Sequence, residues 1–263
     1  MTTLAPSRLT RWIIGVVVGT FFAIPLASTL LYTLRGDDGL TLAHWAKIFS
    51  AEGASVAAPI WTALTNSLVL AVVTVFIILF LVTPTMILVN LRFPHLRKLF
   101  EFVALLPISI PAIVLVVGLA PIYQQIGRTL GTGTWTLSFI YGITVLPFAF
   151  RSIQASIDAT DMKTLAEAAR SLGASWPSVV WNVLTPNLRQ GLLAASLISI
   201  AVVLGEYTIA SLLNRDVFQT AMVVVQKQDP YVPAIFTLLA LLLVFLLLLL
   251  IGRVAGGSRK ATS

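Results

Sequence analysis

From Asp158 the sequence reads Asp158-Ala-Thr-Asp-Met-Lys-Thr-Leu-Ala-Glu-Ala-Ala-Arg-Ser-Leu-Gly-Ala-Ser-Trp-Pro177, and it continues through Thr185-Pro186 to Arg189. This segment, residues 158–189, is a long polar interruption in a very apolar chain, with membrane-length apolar runs before and after it. Its apolar and small residues recur at the spacing of one helix face, at Leu165, Ala168, Ala169 and Leu172. A short amphipathic helix with a small apolar face is therefore predicted.

The ends of this helix carry recognisable signals. Thr160 or Asp161 is a candidate N-cap, and Thr164 with Glu167 has the spacing of a capping box. Gly173 stands where a helix can end in a left-handed residue without a Cβ penalty.

A second short helix is predicted after that glycine. Pro177 suits its first turn, and Thr185-Pro186 repeats the cap-then-proline pattern just before the next apolar run. The segment is thus expected to form two short helices with a bend at Gly173, which is a shape suited to docking.

The composition, with 58% hydrophobic and 10% charged residues, excludes an average soluble domain. Apolar runs of about 20 residues are long enough to cross a hydrocarbon core of ~30 Å. We therefore expect an all-α, polytopic membrane protein. The net charge of +7 is attributed to membrane topology rather than to nucleic-acid binding.

The sequence shows no constellation typical of an enzyme. It has no cysteine, which excludes disulfides, thiol catalysis and cysteine-ligated metals. Its two histidines, His44 and His95, fall on opposite sides of the membrane in the predicted topology, which argues against a metal site. A phosphate-binding loop is also absent, so any ATP must be bound by another polypeptide. No catalytic residue and no cofactor bound by this chain are predicted.

Residues 1–263 are predicted to form a single transmembrane domain with six spans. A signal peptide is the competing interpretation of the first apolar run, which is longer than the about 7–15 apolar residues of such a peptide. Prolines 107, 111 and 121 require a kink in the third span. Polar connections are expected at 35–61 and 123–135, and a basic tail from Arg253. The predicted spans are residues 12–34, 62–90, 99–122, 136–155, 190–213 and 232–252.

The distribution of basic residues predicts the orientation. With the N terminus inside, twelve lysines and arginines fall on inner segments and five on outer segments. Because cytoplasmic loops carry the excess of basic residues, both termini and residues 158–189 are expected in the cytoplasm.

A family resemblance rests on Glu167-Ala168-Ala169, on Gly173 after three intervening residues, and on Val183-Leu-Thr-Pro186 after nine more. This pattern resembles the EAA signature of ATP-binding-cassette importer permeases, with Val183 and Thr185 in place of isoleucine and leucine. The resemblance implies a type I importer permease, with a cytoplasmic coupling helix between spans four and five. The alternative is an ordinary surface helix between two spans.

The resemblance also implies a role for residues in the segment. Glu167, Ala168, Ala169, Gly173 and Pro186 would seat in a cleft of a cytoplasmic ATPase, with Glu167 facing a basic residue there. The implied partners are a homologous or identical second permease subunit, two ATPase subunits that hold ATP and Mg²⁺, an extracytoplasmic solute-binding protein and the lipid bilayer of a bacterial inner membrane. The sequence is most similar in character to polyamine and ferric-iron permeases, so a polyamine or another small solute is expected.

Glu206 is the ionisable residue that lies deepest in a predicted span, sixteen residues after Gln190. A carboxylate at membrane depth is costly unless it faces water, a partner or a substrate. We expect Glu206 to line the translocation pathway, and a structural pair with a partner subunit is the alternative. Gly205 would permit close helix packing or local unwinding. Polar residues expected near the pathway are Tyr207, Asn66 and Ser109.

Other serines in the spans are expected to bond their own backbone or a neighbouring residue, as single serines in membrane helices commonly do. These are Ser67, Ser196 and Ser199.

Two other functional classes remain open at this point. A secondary transporter driven by ions would carry more buried ionisable groups or paired broken helices than this sequence shows. A membrane scaffold that transports nothing would leave solute uptake unchanged when it is deleted.

Overall fold

A computed structural model describes residues 7–36 and 39–257, with side chains through Leu246 and at Leu249. The chain is predominantly helical there, as predicted. The α-helices are α1 Arg8–Thr33, α2 Ala43–Lys47, α3 Ala51–Ile77, α4 Thr83–Arg92, α5 Arg97–Leu105, α6 Ala112–Leu130, α7 Ser138–Asp158, α8 Met162–Ser171, α9 Trp176–Ser178, α10 Thr185–Asn187, α11 Arg189–Gly205, α12 Thr208–Leu212, α13 Phe218–Gln226 and α14 Tyr231–Gly257.

Short elements of other kinds complete the described chain. A two-stranded antiparallel hairpin of β1 (Arg35–Gly36) and β2 (Gly39–Leu40) corrects the purely α-helical prediction. Turns of π-helix occupy Ile78–Val82 and Val179–Leu184, and 3₁₀ turns occupy Pro94–Leu96, Leu106–Ser109 and Thr134–Leu137.

The number of membrane-crossing helices is confirmed only in part. Four helical stretches in the described chain are long and apolar enough to cross a membrane: Arg8–Thr33, Ala51–Arg92, Ala112–Leu130 and Thr134–Asp158. A fifth span exists if Trp176–Asn187 and Arg189–Gly205, which are bent by 77°, are counted as one. The predicted sixth span lies on α14, Tyr231–Gly257, and its described apolar stretch is Tyr231–Leu246.

Two predicted polar connections are shorter than expected, because the neighbouring long helices extend into them. Within 35–61, α3 already begins at Ala51, because the hydroxyl of Ser50 accepts a hydrogen bond from the Gly53 amide at 3.2 Å and so satisfies one free N–H of the first turn. Within 123–135, α6 continues to Leu130 and ends at Gly131, where φ is 84°. The Tyr123 hydroxyl, 2.8 Å from that of Thr136, holds this extra turn against the next helix.

The predicted third span, 99–122, is interrupted by its prolines. Proline removes a backbone donor and restricts the residue before it, so α5 ends at Leu105 and the chain passes through a 3₁₀ turn before α6 begins at Ala112. The predicted basic tail is helical through Gly257, and the rest of it lies outside the described residues.

The described residues fall into two compact units. The first consists of the described residues within Met1–Pro59 and Met222–Leu246. In it, the His44 ring stacks on that of Tyr231 with centroids 3.6 Å apart, and Lys47 pairs with Asp229 at 3.2 Å. Burial opposes ionisation of Asp229, but hydrogen bonds from the Tyr231 amide and from Lys47 lower the pKa of that carboxyl below its usual value.

The second unit consists of the described residues within Ile60–Ala221 and Leu247–Ser263. Its core surrounds α7, and α11 packs closely along that helix. A Cβ at Gly191 would lie against the Ser156 hydroxyl and only 2.7 Å from the Ser152 carbonyl oxygen, so only glycine allows this approach. The buried residues that form the α7 core include Met86, Val145, Ile153, Ile157, Met162, Ala166, Leu184 and Leu188.

Candidate functional site

The first candidate site is the polar segment 158–189, here called the coupling segment, whose first helix is α8. Asp161 is its N-cap and accepts a hydrogen bond from the Thr164 amide at 3.2 Å. Hydrogen bonds from the side chain and the backbone of Thr164 lower the pKa of the Asp161 carboxyl. The Asp161 prediction is therefore confirmed, whereas Thr164 lies inside the helix and starts no capping box with Glu167.

The apolar face predicted for α8 is divided between core and surface. Met162 and Ala166 are buried in the α7 core, with Leu165 and Ala169 partly buried against it. Ala168 is exposed instead, next to the exposed Glu167, and Leu172 is 89% exposed. The predicted helix is therefore present, but its buried side is rotated about the helix axis from the predicted apolar face. One side of α8 is thus anchored, and the other presents Glu167, Ala168 and Leu172.

The end of α8 is a Schellman motif. Gly173 has φ of 85°, its amide donates to the Arg170 carbonyl at 2.9 Å, and the Ala174 amide donates to the Ala169 carbonyl at 3.1 Å. This confirms the predicted left-handed glycine. The Arg170 guanidinium also donates to the Ala174 carbonyl at 2.6 Å and lies over the Trp176 ring, 5.7 Å from its centroid. The turn after α8 is therefore fixed in direction.

The second half of the coupling segment differs from the prediction. Pro177 is in the first turn of α9 after Ser175, as expected. Thr185, however, has helical backbone angles, so Thr185-Pro186 continues a helical run rather than capping a new one. The change of direction comes at the buried Leu188, between Asn187 and Arg189.

A polar cluster holds the base of the coupling segment at the end of α7. Arg97 donates to the Asp158 carboxylate at 2.7 Å, and Gln154 donates to the same oxygen at 2.9 Å. Gln154 and Asn90 exchange hydrogen bonds at 3.3 Å. Sequence reasoning missed this cluster, although Gln154 and Asp158 stand four residues apart on one helix and so share a face.

The second candidate site is the break around Glu206. Helix α11 ends at Gly205 and Glu206 is extended, so the predicted span 190–213 is interrupted here, and of the two alternatives that Gly205 permits the chain adopts local unwinding. The Glu206 carboxylate accepts a hydrogen bond from the Tyr141 hydroxyl at 2.7 Å and from the Ile209 amide at 3.0 Å. Its described partners thus lie within this chain, where it caps α12, and the contact with Tyr141 was not indicated by any sequence pattern. Tyr207 beside it is 42% exposed.

The other residues predicted for the pathway have separate contacts. The Asn66 amide donates to the Asp216 carbonyl at 3.1 Å, and the hydroxyl of the buried Ser67 accepts from the Phe218 amide at 2.8 Å. Ser109 is exposed in the 3₁₀ turn that breaks the third span. Among the described residues, neither Asn66 nor Ser109 therefore makes a direct hydrogen bond to Glu206.

Serines within α11 bond their own helix, as expected. Ser196 donates to the Leu192 carbonyl at 2.8 Å and Ser199 to the Ala195 carbonyl at 2.6 Å. Among the described residues, no group of three or more histidine, aspartate or glutamate side chains could hold a metal ion.

The family of the chain follows from comparison with known proteins. Residues 53–256 match the family described as "Binding-protein-dependent transport system inner membrane component". The chain belongs to this family. Its members are the inner-membrane permease components of ATP-binding-cassette importers, so this chain is a multi-pass membrane permease rather than a catalytic subunit.

A curated relative shares a shorter region. "Sulfate permease 2, chloroplastic" from Chlamydomonas reinhardtii is 36% identical over 72 residues. That region is 27% of this chain and 19% of the relative, so the chain spans only a small part of the relative's length.

Proposed function

We propose that this chain forms half of the translocation pathway of an ATP-driven solute importer and is coupled to a cytoplasmic ATPase through α8. The observation that carries the proposal is the division of α8 into two sides. Met162 and Ala166 anchor it in the α7 core, while Glu167, Ala168 and Leu172 are exposed on a turn of fixed direction. A large apolar side chain that is 89% exposed, beside small and acidic residues, is suited to a partner's cleft.

The packing of α8 suggests how a partner's movement would reach the spans. A displacement of α8 acts on the α7 core through Met162 and Ala166, and on the end of α7 through Asp158 and its ion pair with Arg97. Close-packed interiors transmit such displacements because they contain few voids. From α7 the displacement reaches α11, which packs on it at Gly191 and ends at the Glu206 break.

The partners proposed are those of an importer of this family. They are a second permease subunit, two ATPase subunits, which hold ATP and Mg²⁺, and an extracytoplasmic solute-binding protein. The excess of basic residues on the side of the coupling segment supports a cytoplasmic position for that segment and for both termini, in a bacterial inner membrane.

We propose that the translocation pathway is lined by Glu206, Tyr207, Asn66 and Ser109. Extended backbone at membrane depth is tolerated only where it is buried in protein or lines a water-filled cavity, which supports a pathway position for the Glu206 break. Replacing Glu206 by glutamine should then lower uptake. It should also weaken the Tyr141 hydrogen bond, so Tyr141→Phe is the variant that separates a lost bond from a lost charge.

The solute class has two candidates. The sequence resemblance favours a polyamine, and the partial likeness to a sulfate permease favours an inorganic oxyanion. The negative charge of Glu206 does not indicate which of the two solutes is transported, because its oxygens already accept hydrogen bonds from Tyr141 and the Ile209 amide. Competition of unlabelled spermidine and sulfate for uptake in cells that express the complete importer distinguishes the two.

Uptake into proteoliposomes containing the importer, with its binding protein and ATP, tests the proposed coupling. Glu167→Ala should uncouple ATP hydrolysis from uptake, whereas Glu52→Ala, an exposed glutamate at the start of α3, should leave the ratio unchanged. Uptake that stops when ion gradients are collapsed with ATP present would indicate a secondary transporter. Deletion without loss of uptake would indicate a scaffold.

A further inference from the structure

An apolar groove of about 620 Å³ lies beside α4, at the end of the span that faces the coupling segment. This volume falls within the ~300–1,000 Å³ that is typical of ligand sites. We call it the Arg92 groove. It is lined by Pro84, Ile87, Leu88, Leu91 and Arg92 of α4 and by Trp176 and Val180.

The groove has the length and position of one membrane leaflet. Pro84 and Arg92 are eight residues apart on α4, or ~12 Å along a helix. One leaflet of a ~30 Å hydrocarbon core is about 15 Å deep. Because α4 completes the apolar helix Ala51–Arg92, the aliphatic wall falls within that leaflet and Arg92 at its edge.

The charge at the end of the groove favours an anionic occupant. Arg92 forms no ion pair within the described part of the chain, whereas Arg97 nearby in sequence is neutralised by Asp158. Trp176 lines the same groove and lies under the Arg170 guanidinium, which brings a second positive charge to the groove wall. Indole rings favour the membrane–water interface, so Trp176 marks headgroup depth.

We propose that the Arg92 groove binds an anionic phospholipid. One acyl chain lies along Leu88 and Leu91, and the phosphate accepts hydrogen bonds from the Arg92 guanidinium. Guanidinium groups bind phosphate in two-bond geometry and are weakly hydrated, and basic pockets beside membrane helices favour anionic headgroups. This site is separate from the exposed face of α8, and its test uses neither ATP nor solute.

Native mass spectrometry of the purified full-length chain, released from micelles with added lipid, tests the proposal. Phosphatidylglycerol should be retained about tenfold better than phosphatidylcholine with the same acyl chains. Both lipids carry the phosphate, but the cationic choline of phosphatidylcholine competes for it and is repelled by the Arg92 guanidinium. Arg92→Ala should remove that preference. Lys98→Ala removes an equal charge six residues later, in α5 and outside the groove, and it should keep the preference.

A second variant tests the apolar part of the groove. Leu88→Trp fills it from an exposed position and so leaves the core intact, and it should reduce retention of both lipids. The proposal is overturned if Arg92→Ala binds phosphatidylglycerol as wild type does, or if millimolar inorganic phosphate displaces the lipid completely. It is also overturned if Leu88→Cys, in a chain without other cysteines, forms a disulfide with a second copy in membranes that contain phosphatidylglycerol.

Discussion

Two segments of the second unit share a local sequence and a local structure but end differently. Residues Ile78–Val82 and Val179–Leu184 are both π-helical, and each is followed at once by Thr-Pro, at Thr83-Pro84 and Thr185-Pro186. In both, the threonine amide and hydroxyl donate to the carbonyl five residues earlier, the hydroxyl at 3.1 Å to Ile78 and at 2.7 Å to Val180. A proline ring clashes with the carbonyl four residues before it, and widening the turn relieves that clash.

The two segments differ in the path of the chain after the proline. After Pro84 the helix continues to Arg92, so that Ala51–Arg92 forms one span. After Pro186 the helix ends at Asn187 and the chain turns by 77° into α11. The two turns even contact each other, since the Phe80 and Trp181 rings lie 5.4 Å apart. Thr-Pro therefore sets the widened turn, and we attribute the change of direction to packing: the buried Leu188 and the close approach of Gly191 to α7.

The largest effect should come from blocking that close approach. Gly191→Ala places a Cβ against the Ser156 hydroxyl and 2.7 Å from the Ser152 carbonyl, so α11 must move away from α7. Overpacking of this kind costs about 1–3 kcal/mol. The midpoint of thermal unfolding of the purified chain should fall by several degrees. Gly205→Ala is the control, because its Cβ would meet no atom within 4 Å, and an equal fall there would refute the packing explanation.

A smaller effect is expected at Gly173, where the turn depends on backbone conformation instead of packing. A Cβ there meets nothing within 4 Å, but φ is 85°. A left-handed residue other than glycine costs roughly 1–2 kcal/mol, so Gly173→Ala should destabilise α8 and lower uptake per ATP hydrolysed. Hydrogen exchange of the Ala174 amide measures the loss of the Schellman motif. Unchanged exchange and coupling would mean that the bend at Gly173 does not position α8.

The threonine hydroxyls should contribute less. Thr83→Val and Thr185→Val each remove one hydrogen bond while keeping the side-chain volume and the amide bond to the same carbonyl, so each should cost about 0.5–1.5 kcal/mol. Thr83 is buried and Thr185 is only partly buried, so the larger loss is expected at Thr83. Chemical unfolding of both variants measures the two losses of stability. A greater loss in Thr185→Val than in Thr83→Val would contradict the prediction.

The prolines themselves should matter least for direction. If packing determines the bend, Pro186→Ala keeps α11 on α7, just as Pro84→Ala keeps the straight helix. Spin labels on cysteines introduced at Ser178 and Ser196 would report the bend, since the chain has no native cysteine. The distance between the two spin labels in Pro186→Ala is expected to equal the distance in the labelled chain that keeps Pro186. A longer distance would assign the bend to proline.

Sequence reasoning succeeded where a residue acts on its own backbone. Gly173 ends α8 and Asp161 caps it, because each of these depends on a few neighbouring residues. Sequence reasoning failed where the structure depends on contacts between segments that are distant in sequence. The buried stripe of α8 and the bend at Leu188 depend on how helices pack around α7.

The candidate site was predictable to a similar extent. The composition identified a membrane protein and the spaced motif identified the family; within the described residues four or five spans are found, and the six-span count stays a prediction. Glu206 was predicted inside a continuous span, whereas it lies at the break after α11, and its bond to Tyr141 joins residues 65 apart in sequence, which no local pattern encodes. The Asp158–Arg97 pair, 61 residues apart, was missed for the same reason.

Site-directed cross-linking of α8 tests the central claim most directly. Ala168→Cys places a single cysteine on the exposed side of α8, and Ala166→Cys, on the buried side, is the matched control. In membranes containing the assembled importer, the cysteine at position 168 should cross-link to the nucleotide-hydrolysing subunit, and the one at 166 should not. Labelling of position 168 by a membrane-impermeant maleimide from outside intact cells, with no cross-link to an ATPase, would contradict the account.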